Sequence, residues 1–373
     1  MSNLYRPRMA DPLHGAYRER SWRVEVLTRD EQSLGFLGDA SASTDAAGVV
    51  SWDVTANANS QVGLTGTLRV RGDVGVDWSV NRLRIWETLS GVGTWPLGVF
   101  IPALPTPEHN WRDTSWNVGL LGKLHAVARD RLTASWEGTP ATPATDLIGL
   151  QLAYTDEPNA AITPSPATLP APILWASGTS RLTLCNELAG AIGYRGLRAD
   201  PAGRVLSEPY TLPAERDPAM TFSADALTLL SPDWAEDWDL DAPNVVLARS
   251  QEQPDGTVWE TTAEDWDTGR PSSIPRREGQ RVVHVEDAVE VATQAALAAH
   301  AARRLSELTT PAQRFTVEHL TVPTVELSEG RPGLWTESVV IHTRPGLEPV
   351  RCVVEDIHWR SDSPMCRATW RRV

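Results

Sequence analysis

Nine residues near the start of the chain set the first constraint. Ser21–Arg29 (SWRVEVLTR) puts Trp22, Val24 and Val26 on one face of an extended segment and Arg23 and Glu25 on the other. Side chains of a strand alternate with period two, so this is a strand with one face in a core. Further runs follow at Val49–Thr55, Val62–Arg71, Trp78–Thr88, Trp95–Pro102 and Ser115–Leu121, with Gly, Asn, Asp or Pro in the gaps. Short strands at that spacing predict an antiparallel barrel or sandwich over about residues 21–130. Residues 1–20, with Pro7 and Pro12, read as an extended arm before it.

The pattern changes after that. Ser135–Pro172 is rich in Ala, Thr and Pro; Ala144–Leu152 within it can form a short helix, and 159–172 reads as a Pro-stiffened loop. Leu182, Cys185, Leu188, Ala189 and Ile192 then recur at helical spacing, with Thr179 or Ser180 able to cap the start and Gly193 suited to the residue after the end. Two extended runs, Arg195–Ala199 and Arg204–Glu208, flank Asp200-Pro201-Ala202-Gly203, a type I turn by composition. A short helix is expected over Asp225–Leu230. These features make residues 131–242 a mixed α+β domain.

From 243 onward the chain is expected to form a second β domain, 243–373. It contains strands Val245–Ala248, Thr257–Ala263 and Val282–Val285, then a long helix, 286–308, with Val291, Ala295, Ala298, Ala301, Leu305 and Leu308 in one stripe. Arg314–Val322, Glu337–Thr343, Val350–Arg360 and Cys366–Arg371 close it as antiparallel strands.

Composition excludes several functions. No apolar run approaches the roughly 20 residues of a membrane span, and the opening MSNLYRPRMADPLHG has no apolar core of a secretory signal. Cys185, Cys352 and Cys366 form no C-x-x-C and no even framework, which points to synthesis in a reducing cytoplasm. A net charge of −14 argues against a protein that grips nucleic acid. Lys123 is the only lysine, a bias read as genomic.

Candidate sites are few. Asp233, Glu236, Asp237, Asp239 and Asp241 make the best cation candidate, yet the run lacks the glycine and final glutamate of a calcium loop, which favours a solvated or interface loop. An Ala-Glu-Asp-Trp-Asp string occurs twice, at Ala235–Asp239 and Ala263–Asp267. His284, His342 and His358 lie in strand patterns without metal-ligand spacing, and Cys352 and Cys366 have no histidine motif beside them. No nucleophile elbow or phosphate-binding loop occurs, so no catalytic, cofactor or metal residue is assigned and no enzyme activity is expected. The 16 tryptophans could serve a glycan-binding surface, but Trp22, Trp52, Trp78, Trp86, Trp359 and Trp370 fall at inward strand positions, which favours a core role.

The order of local motifs resembles the phage tail-tip and baseplate hub proteins. The residues that carry the likeness are DWSVNRLRIW (77–86), WPLGVFIP (95–102), WNVGLLGKL (116–124), the Gly-Tyr at 193–194 with its Gly-tipped hairpin, Pro-Tyr at 209–210, PNVVL (243–247) and the Trp- and Gly-containing loop ahead of the Ala-rich helix. The resemblance implies a mainly β chain with some α: two tail-tube-like antiparallel β-barrels with a mixed α/β domain between or beside them. It also implies a homotrimer in the virion whose six barrels match a six-fold tube. The neighbours would be a distal tail protein, fibres or a spike, and the tape-measure protein, with genomic DNA passing through without tight binding. A glycan-binding tail protein is the alternative and a tail-associated cell-wall hydrolase the second alternative. Because the chain stops at Val373 directly after the terminal strands, a lytic or fibre activity is expected to be missing or to lie on another chain.

Overall fold

In the computed structural model the described residues are 19–39, 47–103, 105–109, 114–155, 157, 159–223, 241–253, 256–309, 314–327, 333–343 and 348–373. Eight strands come first: β1 (Arg20–Leu27), β2 (Ser33–Phe36), β3 (Gly48–Asn57), β4 (Leu64–Arg71), β5 (Arg82–Leu89), β6 (Gly93–Pro102), β7 (Thr106–His109) and β8 (Thr114–Gly122). A mixed stretch follows with α1 (Leu124–Arg129), β9 (Trp136–Gly138), α2 (Ala144–Tyr154), β10 (Ala160–Ile162), β11 (Ile173–Trp175), α3 (Arg181–Ala191), β12 (Arg198–Ala199) and β13 (Val205–Ser207). Then come β14 (Met220–Ser223), β15 (Val245–Ser250), β16 (Glu260–Glu264), β17 (Val283–Val289), α4 (Gln294–Leu308), β18 (Arg314–Leu320), β19 (Val339–Thr343), β20 (Val350–Arg360) and β21 (Ser363–Arg372). The chain is mainly β with some α, and most strand pairs are antiparallel.

Strands from the two ends of the chain meet in one sheet. Among the described residues thirteen strands join it, along the path β14-β19-β20-β3-β4-β8-β6-β5-β1-β2, with β21 and β18 beside β20 and β7 on β8. Strand β20 makes the join. Its first half pairs with β19 (Val339↔Val353 to His342↔Val350). Its second half pairs with β3 (Asp356↔Asn57 to Arg360↔Asp53). A register shift between Val354 and Asp356 marks the change of partner, because an extra residue bends and re-aims a strand. That residue, Glu355, is buried and accepts hydrogen bonds from Arg314 at 2.7 Å and 3.4 Å, so the bend is held by charge.

One apolar core follows from the shared sheet. Val24, Val54, Leu68 and Ile85 from the first strands pack in the same cluster as Phe315, Val354, Ile357 and Trp370 from the last. Trp335 stacks on Trp359 with ring centroids 5.6 Å apart, and Phe222 and His342 both lie against Trp370. Arg20 ties the ends again: its guanidinium pairs with the wholly buried Glu87 and donates to the Arg360 and Ser361 carbonyls at 2.8 and 3.1 Å.

The six tryptophans expected in the core divide into two groups. Trp52, Trp359 and Trp370 are buried. Trp22, Trp78 and Trp86 are only half-buried. Trp86 shares the face of β5 with Arg84, opposite Ile85, so its indole is spent on a hydrogen bond to Glu25 at 2.7 Å.

The mixed stretch has its own core, in which Leu147, Ile148 and Leu152 of α2 join Leu182, Cys185 and Leu188 of α3. Helix α3 begins after Ser180, whose side chain makes no capping bond, and ends before Gly193 at φ +73°, as the sequence predicts. The hairpin β12–β13 closes through Gly203 N–H to Asp200 O at 3.0 Å. Gly203 has φ +91°, and a Cβ there would sit 2.5 Å from Val99, so only glycine fits against the sheet. Part of the expected loop, 159–172, is strand β10, parallel to β13. Neither β2, β7 nor α1 is marked in the sequence by a long periodic run.

The predicted helix 286–308 is shorter than expected. Glu286–Val289 is the end of β17, which pairs in parallel with β15, and the helix starts only at Gln294, where Thr293 accepts from Ala296 N at 3.1 Å. The buried face is Ala296, Leu297, Ala301 and Leu305, whereas Ala295 and Ala298 are exposed. The expected stripe therefore holds in its second half, at Ala301, Leu305 and Leu308, and misses at Ala295 and Ala298, because Val291 is buried ahead of the cap and outside the helix.

Candidate assembly site

Two polar joints fix the mixed stretch against the sheet, and a pocket lies at one of them. The first joint is built around Lys123, which is wholly buried. Its ammonium contacts Glu31, lies 3.1 Å from Glu157 Oε2 and donates to the Gly203 carbonyl at 2.8 Å. Arg82 donates to Glu157 at 3.1 Å and reaches Glu31 at 3.3 Å, while Asn159 Nδ2 donates to Glu31 at 2.8 Å. Glu31 holds φ +62°, a left-handed conformation that a side chain adopts only when its surroundings insist on it. Those surroundings are the tight β1–β2 turn, closed by Glu31 N to the Thr28 carbonyl at 3.0 Å and Thr28 N to the Gln32 carbonyl at 2.9 Å, together with the three donors. The one lysine of the chain is thus a structural ion. No sequence signal marks it, since its partners lie 92 and 34 residues away in the chain.

The second joint gathers arginines. Arg195 and Arg198 reach Glu208 at 3.5 and 2.6 Å, Arg195 also pairs with Glu337, and Arg216 lies 4.0 Å from Glu337. Burial pushes the Arg195 guanidinium down to about 9, helped by the like charges of Arg198 and Arg216. Arg216 is lowered as well, first by burial. Glu337, which meets these cations, holds φ +65°. Beside them is a cavity of about 280 Å³ where three parts of the chain meet: the β3–β4 turn (Asn57–Gln61), α3 with the 195–199 segment, and Trp335–Glu337. Trp335 Nε1 donates to the Ala199 carbonyl at 3.3 Å, which closes the back of the pocket.

No family model matches the sequence, and no curated protein matches it. Solved structures do match. A tail protein from Neisseria meningitidis MC58 superposes with a TM-score of 0.64 at 10% identity, over 94% of this chain and 96% of that one. The 43 kDa tail protein of prophage MuSo2 from Shewanella oneidensis gives 0.59 at 10% identity, over 94% and 98%. The fold is that of phage tail proteins. A third, prophage tail protein gp18 from Listeria monocytogenes, gives 0.51 at 11% identity over 94% of each chain.

The sequence-predicted candidates fall at different places in this tail-protein fold. Asp233, Glu236, Asp237 and Asp239 lie outside the described residues, as does the expected helix 225–230; Asp241 is exposed at the entry to β15. The second copy of the repeated string is a structural turn: Asp265 is buried, accepts from Asp267 N at 3.0 Å and lies 3.5 Å from Arg270. Asn244, from the PNVVL motif, is buried and knits three segments, donating to the Ser272 and Gln280 carbonyls and accepting from Val282 N. His342 is a core residue, His358 pairs with Asp53 on β3, and His284 lies 3.4 Å from Glu286. All three cysteines are buried; burial pushes the Cys185 thiol up to about 12 and the Cys366 thiol higher still. Neither is poised as a nucleophile.

Several strand edges remain open among the described residues. Strand β2 ends the sheet path, with Leu34 58% and Phe36 47% exposed. Strand β17 presents Val283 and Val285. Unpaired edges are templates for another strand. No helix among the described residues is long and apolar enough to cross a membrane.

Proposed function

We propose that the protein is the hub of a phage tail tip, a structural component of the virion in a long non-contractile tail. Three copies form a ring, each supplying two tube-like β units, one from 21–130 and one from 243–373, with the mixed unit 131–242 beside them. The ring joins the tail tube and a distal tail protein to fibres or a spike, around the end of the tape-measure protein. Genomic DNA passes through its centre. The chain is made in the cytoplasm of the host bacterium and has no catalytic role.

The observation that carries this reading is the extent of the likeness: three tail proteins match over 94% of this chain and nearly all of their own length. The shared sheet supports it further, since β20 sets the strands of both ends side by side as a ring segment requires. The open edges of β2 and β17 give each copy something to pair with, and a closed cyclic arrangement covers such edges. The charge of −14 suits a channel wall, because like charge keeps duplex DNA off a surface over about 8–10 Å in physiological salt. The glycan-binding alternative is weakened by the tryptophans, of which only Trp266 is exposed among the described residues. An electron-microscopy map of the isolated tail tip tests the proposal. Three copies around an acidic channel are expected; six copies, one copy, or an arginine-lined wall would overturn it.

A further inference from the structure

The junction pocket has more cation than its own acids balance. Arg195, Arg198 and Glu337 line it, and Glu208 and Arg216 stand behind them; the three arginines face two carboxylates, which leaves one positive charge over in a chain that is acidic overall. Arg198 is the member that lines the cavity with spare capacity: its Nη2 is taken by Glu208 at 2.6 Å, and its Nε is buried with no hydrogen-bond partner among the described residues. A buried donor left unmet is costly, so a small shift of the Arg198 side chain that lets an entering acceptor meet Nε regains that free energy.

We propose that this pocket binds a single carboxylate presented by an extended segment of a partner protein. The charge selects the group. One carboxylate neutralises the excess, whereas a phosphate dianion would overshoot it and face Glu337 on the same wall. The rest of the lining selects a peptide. Asn57, Asn59, Gln61 and Asn186 are amides that both donate and accept, as a peptide backbone does, while a phosphate offers acceptors alone. The volume, about 280 Å³, holds an acidic side chain and the backbone on either side of it. Because the pocket is lined by the β3–β4 turn, α3 and the segment at Trp335–Glu337, one bound segment touches all three. Burial, with the crowding of the guanidiniums second to it, lowers Arg195 and Arg216, and an anion beside them relieves both. The inference rests on the pocket alone and holds whatever the stoichiometry of the assembly.

The test uses the full chain and three probes: N-acetyl-glutamate methylamide, its glutamine counterpart and inorganic phosphate, each titrated by isothermal titration calorimetry. The glutamate probe is expected to saturate, with the glutamine probe and phosphate each at least about tenfold weaker, the cost of one such charged contact. Arg198→Gln should weaken the glutamate probe by a similar factor in a chain that still unfolds in one cooperative thermal transition. Should that variant misfold, Asn186→Asp decides, since an aspartate still accepts from Leu197 N, now at 2.8 Å, yet repels an incoming carboxylate. No saturation by the glutamate probe, equal binding of the glutamine probe, phosphate as the tightest ligand, or folded variants that bind like the unaltered chain would each overturn the proposal.

Discussion

Lys123→Met removes an ammonium that is wholly shielded from water and leaves a side chain of similar length in its place. The charges around it balance at present: Arg82, Arg84 and Lys123 stand against Glu25, Glu31 and Glu157. The substitution leaves two cations facing three carboxylates, with Glu157 wholly buried. Breaking a buried pair by deleting one partner costs about 3–5 kcal/mol, because the remaining charge is stranded. The bonds lost give a compatible figure: two contacts to carboxylates at about 1.5–3 kcal/mol each. Adding Glu157→Gln restores two against two and keeps an acceptor for Arg82. The double variant should therefore be no less stable than Lys123→Met alone, a coupling of about 2 kcal/mol. Urea unfolding followed by tryptophan fluorescence and circular dichroism measures both. With a slope of about 3 kcal/mol per molar, the single variant should unfold roughly 1 M earlier. A shift under about 0.3 M, or two losses that simply add, would refute the account of Lys123 as the centre of a charge-balanced joint.

Trp359→Ala should cost about 3–5 kcal/mol by urea unfolding, as a large-to-small change in a sealed core, and the half-buried Trp86→Ala clearly less. Equal losses would mean that the face assignment of β5 is wrong. Burial holds the His319 imidazole down at about 4 while its Nδ1–H donates to the Leu320 carbonyl. The unfolded chain takes up a proton there first, so stability is fully present above about 6.5 and falls as the pH drops from there toward 4, by about 1.4 kcal/mol per unit. His319→Gln should flatten that slope in unfolding midpoints measured across this window, and an unchanged slope would exclude it as the source. Zymography on host cell wall should show no lysis band; a band lost on one Asp or Glu substitution would make the chain a hydrolase.

By itself the sequence determined many of the extended segments, through the period-two imprint of Arg20–Leu27 and the long terminal strand Val350–Arg360. The imprint did not say which faces are wet: Val24–Leu27 and Cys352–Glu355 are each four buried residues in a row, Glu25 among them. Turn chemistry was legible too: Gly193 and Gly203 sit where backbone geometry admits little else. Short edge strands such as β2 and β7, exposed along their length, leave no such imprint. The helix α4 shows the limit of periodicity, since Glu286–Val289 was expected as its start but forms ladder bonds to β15 in space. What only the tertiary structure decided is pairing across long separations. Nothing local in Asp53–Asn57 or Asp356–Arg360 says that they are neighbours, and nothing near Lys123 names Glu31 and Glu157 as its partners. Local residues set how a segment bends and which face it buries; which segments meet is chosen by the whole chain, because burying charge and apolar surface together is favourable only when every partner arrives.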